Sequence, residues 1–132
     1  MDETVMTGNE VTTWRMIGAD LGLEFDELGH PYQIGPARDI DGGVYDGCYD
    51  WRPLENDSDC LGLVLHHKLC VQCEVEGVIV RELRGPILAM AFYETEANPA
   101  AALRRAVFEA AAKLVRAKLQ LLDKETACVK AQ

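Results

Sequence analysis

Apolar and polar positions change period along the chain, and each change marks a predicted element. Trp14, Ile17 and Leu21 recur at i, i+3 and i+7, the spacing of one helix face. They predict a short helix capped by Asn9 or Thr12 and closed by Gly22 in a left-handed turn, with Trp14 as a core anchor. A second helix is predicted over residues 57–68, with Cys60, Leu61, Leu63, Val64 and Leu65 as its apolar residues. Asn56, Asp57 or Ser58 would cap it, and the acids there suit the positive end of its dipole. From Leu69 the period becomes two. Leu69, Val71, Cys73 and Val75 share one face, and Cys70, Gln72, Glu74 and Glu76 the other. Gly77 turns the chain and 78–83 returns as a hairpin partner. Residues 87–93 read as a third strand, apolar on both faces and so expected to be central or covered on both sides.

Asn98-Pro99, a capping residue followed by proline at the first helical position, opens a long helix to Leu122. Its expected packing face holds Leu103, Val107, Ala110, Ala111, Leu114, Val115 and Lys118. Between the first two helices no period holds. Glycine or proline interrupts residues 24–52 every few positions, while Tyr32, Ile34, Ile40, Tyr45 and Tyr49 are interspersed. This stretch reads as a long ordered loop lying on the core and ended by Pro53. Residues 1–8 and 123–132 read as frayed. The order of elements predicts one domain over 1–132 of α+β class. A small antiparallel sheet of about three strands is covered by helices as an alpha-beta-alpha sandwich.

Composition narrows the picture. The chain has 132 residues, 48% of them hydrophobic, enough for one domain with a buried core. The net charge of -9 is uneven: residues 1–59 hold 14 acidic and 3 basic side chains, whereas 60–132 hold 8 acidic and 10 basic. Phosphate-backbone binding needs clustered Lys and Arg, so nucleic acid is not expected as the main partner. An acidic face suits a basic protein or simply keeps the chain soluble. No apolar run is long enough for a membrane span, and the acidic start is unlike a secretory signal. Five cysteines at irregular spacing argue against a disulfide framework and for a reduced, cytoplasmic setting.

Two local patterns carry a family resemblance. One is the Ala19-Asp20-Leu21-Gly22 helix end followed by Trp51-Arg52-Pro53-Leu54-Glu55-Asn56-Asp57 and the Leu61–Leu69 helix. The other is the run Asn98-Pro99-Ala100-Ala101-Ala102-Leu103-Arg104-Arg105-Ala106-Val107-Phe108-Glu109-Ala110-Ala111. Together they resemble the alpha-beta-alpha sandwich domain of small tailed-phage proteins, the NinX-like family, over residues 14–118 in outline. The strand after Gly85-Pro86 is longer and more apolar than that family's. The resemblance implies phage or prophage origin and an accessory role in the cytoplasm of an infected bacterium. It carries no catalytic signature.

Candidate chemistry is sparse. His66, His67, Cys70 and Cys73 fall within eight residues and are zinc-ligand types, the basis for a metal- or thiol-dependent enzyme. Against this, an odd separation on a strand sends Cys70 and Cys73 to opposite faces, and Cys73 reads as core. Cys60 near a helix start could serve as a nucleophile, but Asp57 and Asp59 disfavour its thiolate. Ser58, the lone serine, sits at a cap, which disfavours serine hydrolysis. Asp39, Asp41, Asp46 and Asp50 could hold a hard cation, although Asp and Gly suit turns in any case. No cofactor is expected. The favoured reading is non-enzymatic: a host or phage protein binds Asp39, Asp41, Tyr45, Tyr49, Asp50 and Trp51, with Trp51 equally suited to pinning the loop. A homodimer through Leu114, Val115, Leu119, Leu121 and Leu122 of the last helix is the remaining alternative.

Overall fold

The computed structural model describes residues 8–130, and of residues 125–130 only the backbone. The expected fraying of residues 1–7, 131 and 132 lies outside the described residues. The class is α+β: the described residues form two three-stranded antiparallel sheets and three helices. The chain divides into two compact units, Met1–Trp51 and Arg52–Gln132.

In the first unit, α1 (Gly8–Asp20) buries Thr13, Trp14, Ile17 and Gly18. The helix begins ahead of the expected caps. Thr12 and Thr13 instead lie inside it and donate their hydroxyls to the carbonyls of Gly8 and Asn9, four residues back. Its end is as the glycine predicts. Gly22 has φ +78°, its N–H donates to the Ala19 carbonyl, and the Leu23 N–H donates to the Gly18 carbonyl, a Schellman closure.

Residues 24–52 are not a loop. They fold as a meander of β1 (Glu24–Phe25), β2 (Pro31–Arg38) and β3 (Val44–Asp50), paired in that order. Pro36 is tolerated because β1 pairs only with Pro31 and Tyr32, so the rest of β2 has one unpaired edge. The β2–β3 turn is closed by Asp39, whose Oδ1 accepts from the N–H groups of Asp41 and Gly43 at 3.0 and 2.8 Å. Gly18 meets Pro31 so closely that a Cβ there would stand 2.9 Å from the proline Cβ. The helix and the base of the meander therefore pack through a glycine.

In the second unit, α2 (Asp57–His67) is capped by Asn56, whose side chain accepts from the Asp59 N–H at 3.0 Å. Strands β4 (Leu69–Cys73), β5 (Gly77–Glu82) and β6 (Ile87–Phe92) form the second sheet with β5 central. Val78, Val80, Ala89 and Ala91 are buried on the face that α3 (Pro99–Lys130) covers. Asn98 accepts from the Ala101 N–H at 2.8 Å, as the Asn-Pro pair predicts.

Three expectations for this unit change. β6 is an edge strand with one covered face, and its outer side chains Met90 and Phe92 are 47% and 46% exposed. α3 continues past Leu122 to Lys130 instead of fraying at 123. Its buried stripe is Ala102, Ala106, Val107, Phe108, Ala110, Ala111, Ala112 and Val115. Leu103 and Leu114 are half-buried and Lys118 is exposed. Alanine lets the helix approach the sheet closely, so the smallest side chains mark the contact.

Candidate functional site

The acidic, aromatic segment singled out from the sequence is a hairpin. β2 and β3 pair from Tyr32↔Asp50 to Arg38↔Val44, and every residue of β3 except Gly47 is exposed. A strand whose two faces both meet solvent contributes little to a core. Its side chains face solvent instead.

Within the hairpin the candidates divide by role. Asp39 is engaged in the turn through two backbone N–H groups, as turn chemistry would have it. Asp41, Asp46 and Asp50 are exposed along the same hairpin, with Arg38 its one basic side chain. Tyr45 is 53% exposed. Tyr49 is 47% exposed, and its ring lies beside the cross-strand pair Gly35↔Gly47 while its hydroxyl donates to the Pro36 carbonyl at 2.8 Å. The phenol is thus held in one orientation with its other face open. Trp51 does not belong to this surface. It is 2% exposed, and its ring approaches Gly18, so it pins the base of the meander to α1.

Beside the hairpin, Phe25, Asp26, Glu27, Leu28, Tyr32, Cys48 and Asp50 line an open cleft of about 650 Å³. Phe25, Asp26, Glu27 and Tyr32 were not singled out from the sequence, since only the meander brings the β1 turn alongside β3. The Asp26 carboxylate accepts from the N–H groups of His30 and Leu28, both at 2.9 Å. The His30 hydrogen bond, followed by the Leu28 bond and the charges of His30 and Arg15, holds its pKa below the ordinary carboxylate value against a smaller opposing effect of burial. Asp26, Glu27, Asp46 and Asp50 make this side of the unit mainly acidic, with Arg15 and His30 beside Asp26 as its basic groups.

The zinc-type segment has a different layout. His66 and His67 end α2, ring edge against ring face, with centroids 4.7 Å apart. Cys70 and Cys73 lie on β4 opposite Arg81 and Val78. Among the described residues, no three of His66, His67, Cys70 and Cys73 gather their ligand atoms into one site. Cys73 is exposed and not core, at the last position of the edge strand β4. Cys60 is buried. Burial pushes its pKa up to about 11, with Asp57 adding to the rise and Arg104 opposing it. Such a thiol stays protonated and is a poor nucleophile. Cys128 lies where side chains are not described.

No family model, curated protein or solved structure matches the chain. Among the described residues, no helix is long and apolar enough to cross a membrane.

Proposed function

We propose that this chain is a non-enzymatic binding protein that takes a basic protein partner on the β2–β3 hairpin and the neighbouring cleft. The observation that carries the reading is the exposure of β3 on both faces, with Asp46, Asp50, Tyr45 and Tyr49 displayed and no Lys or Arg on that strand. Carboxylates steer a basic partner and suppress acidic ones, whereas tyrosines supply contact area at small entropic cost. The resemblance to NinX-like tailed-phage proteins supports a finer reading: a phage or prophage accessory protein that engages a host or phage protein in the infected bacterial cytoplasm.

The test is affinity capture from bacterial lysate with quantitative mass spectrometry, at low and at high salt, comparing the wild type with a Tyr45→Ala, Asp41→Asn, Asp46→Asn variant. A stoichiometric basic protein retained at low salt by the wild type and lost by the variant is the expected result. Equal capture by both, or no salt dependence, removes the reading.

A further inference from the structure

The β2–β3 hairpin has two outer edges, and they are built differently. Trp51 donates its N–H to the Pro31 carbonyl, and Asp39 donates its N–H to the Gly43 carbonyl. Antiparallel ladders alternate bonded and non-bonded pairs. Gly35↔Gly47 and Ala37↔Tyr45, in step with those two bonds, are therefore bonded pairs. Ile34, Pro36 and Arg38 on β2, and Val44, Asp46 and Cys48 on β3, turn their backbone groups outward. On β2 that edge is blunted. Pro36 has no N–H, and its carbonyl accepts from the Tyr49 hydroxyl.

The β3 edge carries no such protection. The strand has no Lys or Pro, and its register with β2 runs without a bulge from Tyr32↔Asp50 to Arg38↔Val44. β2 is its one strand neighbour. Among the described residues, the N–H and C=O groups of Val44, Asp46 and Cys48 have no hydrogen-bond partner. The Tyr49 ring leans toward β2, beside Gly35, and leaves this edge bare.

The side chains decide which strand such an edge accepts. Along one face of β3 they run Val44, Asp46, Cys48, Asp50, apolar and acidic in turn. The hairpin's one basic side chain, Arg38, sits opposite Val44 at the turn end. A second copy paired about Cys48 would set Asp46 against the partner's Asp50, and like charges directly opposite destabilise a sheet. A basic segment meets the opposite sign at both positions. We infer that the basic partner adds an extended segment antiparallel to β3, with Lys or Arg opposite Asp46 and Asp50 and apolar side chains opposite Val44 and Cys48. This rests on the basic-partner reading and adds the form of the contact. Main-chain hydrogen bonds to Val44, Asp46 and Cys48 supply affinity, and the alternating side chains supply specificity.

The probe is a synthetic peptide in which threonine alternates with lysine and valine, Thr-Lys-Thr-Val-Thr-Lys-Thr-Val-Thr. Its twin is N-methylated at the lysines and valines, which keeps the charge and removes the donors that would face β3. Fluorescence anisotropy with the full chain should show saturable binding of the first peptide at low salt and loss of binding for the twin. NMR amide exchange should slow at Val44, Asp46 and Cys48 on adding the first peptide, and stay unchanged at Tyr45, Gly47 and Tyr49, which β2 already holds. Cys48→Pro removes an N–H that β2 does not use and leaves both acids in place, so it should weaken binding with the circular dichroism unchanged. Equal binding of the twin overturns the inference while leaving a charge-steered basic partner standing. Slowing at Ile34 and Arg38 instead also overturns it, by placing the segment on β2. Binding of neither peptide overturns it as well, and the lysate capture then decides the broader reading separately.

Discussion

The indole N–H of Trp14 donates to the backbone carbonyl of Trp51 across 2.8 Å, joining residues 37 apart in sequence. Both side chains are buried, and the same Trp51 donates its own N–H to the Pro31 carbonyl at 3.2 Å. One residue thus ties the end of β3 to the start of β2 and to α1. Trp14→Phe keeps an aromatic ring in the core but leaves the Trp51 carbonyl without its donor. A buried acceptor left unsatisfied costs about 1–3 kcal/mol. Urea denaturation should show a loss of that size, and a loss below about 0.5 kcal/mol would mean that water reaches this carbonyl.

Much of this architecture is legible in the chain, and the exceptions share a cause. Gly22, Asn98-Pro99 and the β4–β5 hairpin declare themselves because each satisfies backbone groups locally, although Gly77, expected as the turn, is the first residue of β5 and the chain turns at Val75 and Glu76. The meander does not, because hydrophobic alternation records burial of one face, and beyond Pro31 no side chain of β2 or β3 is buried. Its strands are held by pairing and by the Asp39 turn, neither of which leaves a period in the sequence. The reverse error arises at β6, where apolar residues on both sides suggested two covers. Met90 and Phe92 face solvent in the single chain. Trp51 looked as suited to a surface as to a core, and only the closeness of Gly18 decides it. For the candidate site, Tyr45, Asp46 and Asp50 were within reach of sequence reasoning. The cleft residues Phe25, Asp26 and Glu27 were not, because the register Glu24↔Tyr32 brings them there.

Gly77 is a position where only glycine fits. A Cβ there would collide with the backbone carbonyl oxygen of Ala91, and backbone cannot swing aside as a side chain can. Gly77→Ala must force β5 and β6 apart where β5 begins and β6 ends. A cost of about 3 kcal/mol is expected, the upper range for overpacking. Thermal unfolding should show it as a lowered midpoint, and an unchanged midpoint would place the β4–β5 turn differently.

The cysteines should separate by reactivity. Cys48 and Cys73 are exposed, whereas Cys60 is buried with its pKa raised to about 11 from 9.0. At pH 8 in native conditions iodoacetamide should label Cys48 and Cys73 first, while Cys60 reacts only on unfolding. A group that holds its proton more tightly when folded contributes stability below its unfolded pKa. That contribution is lost as pH rises from 9 through 11. Cys60→Ala should flatten this alkaline loss. Peptide mapping that finds Cys60 labelled as fast as Cys73 would contradict its burial.

Asp26 governs the acid side of the first unit. Its carboxylate accepts from the His30 and Leu28 N–H groups, and these bonds favour the ionised form. With the folded pKa below the ordinary value of 3.8, the ionised carboxylate contributes stability that is present above that pH. The contribution fades as pH falls through the lower, folded pKa. Asp26→Asn retains an acceptor oxygen but has no charge to titrate, so its stability should vary less with pH below about 4 than the wild type's. The same substitution removes a negative charge from the wall of the cleft. A basic partner bound there should dissociate faster or associate more slowly at low salt, with the difference vanishing at high salt. Carboxyl chemical shifts followed by NMR from pH 6 to pH 2 give the decisive readout. A titration of Asp26 at or above 3.8 would mean that the turn from Asp26 to His30 opens in solution, taking the cleft wall with it.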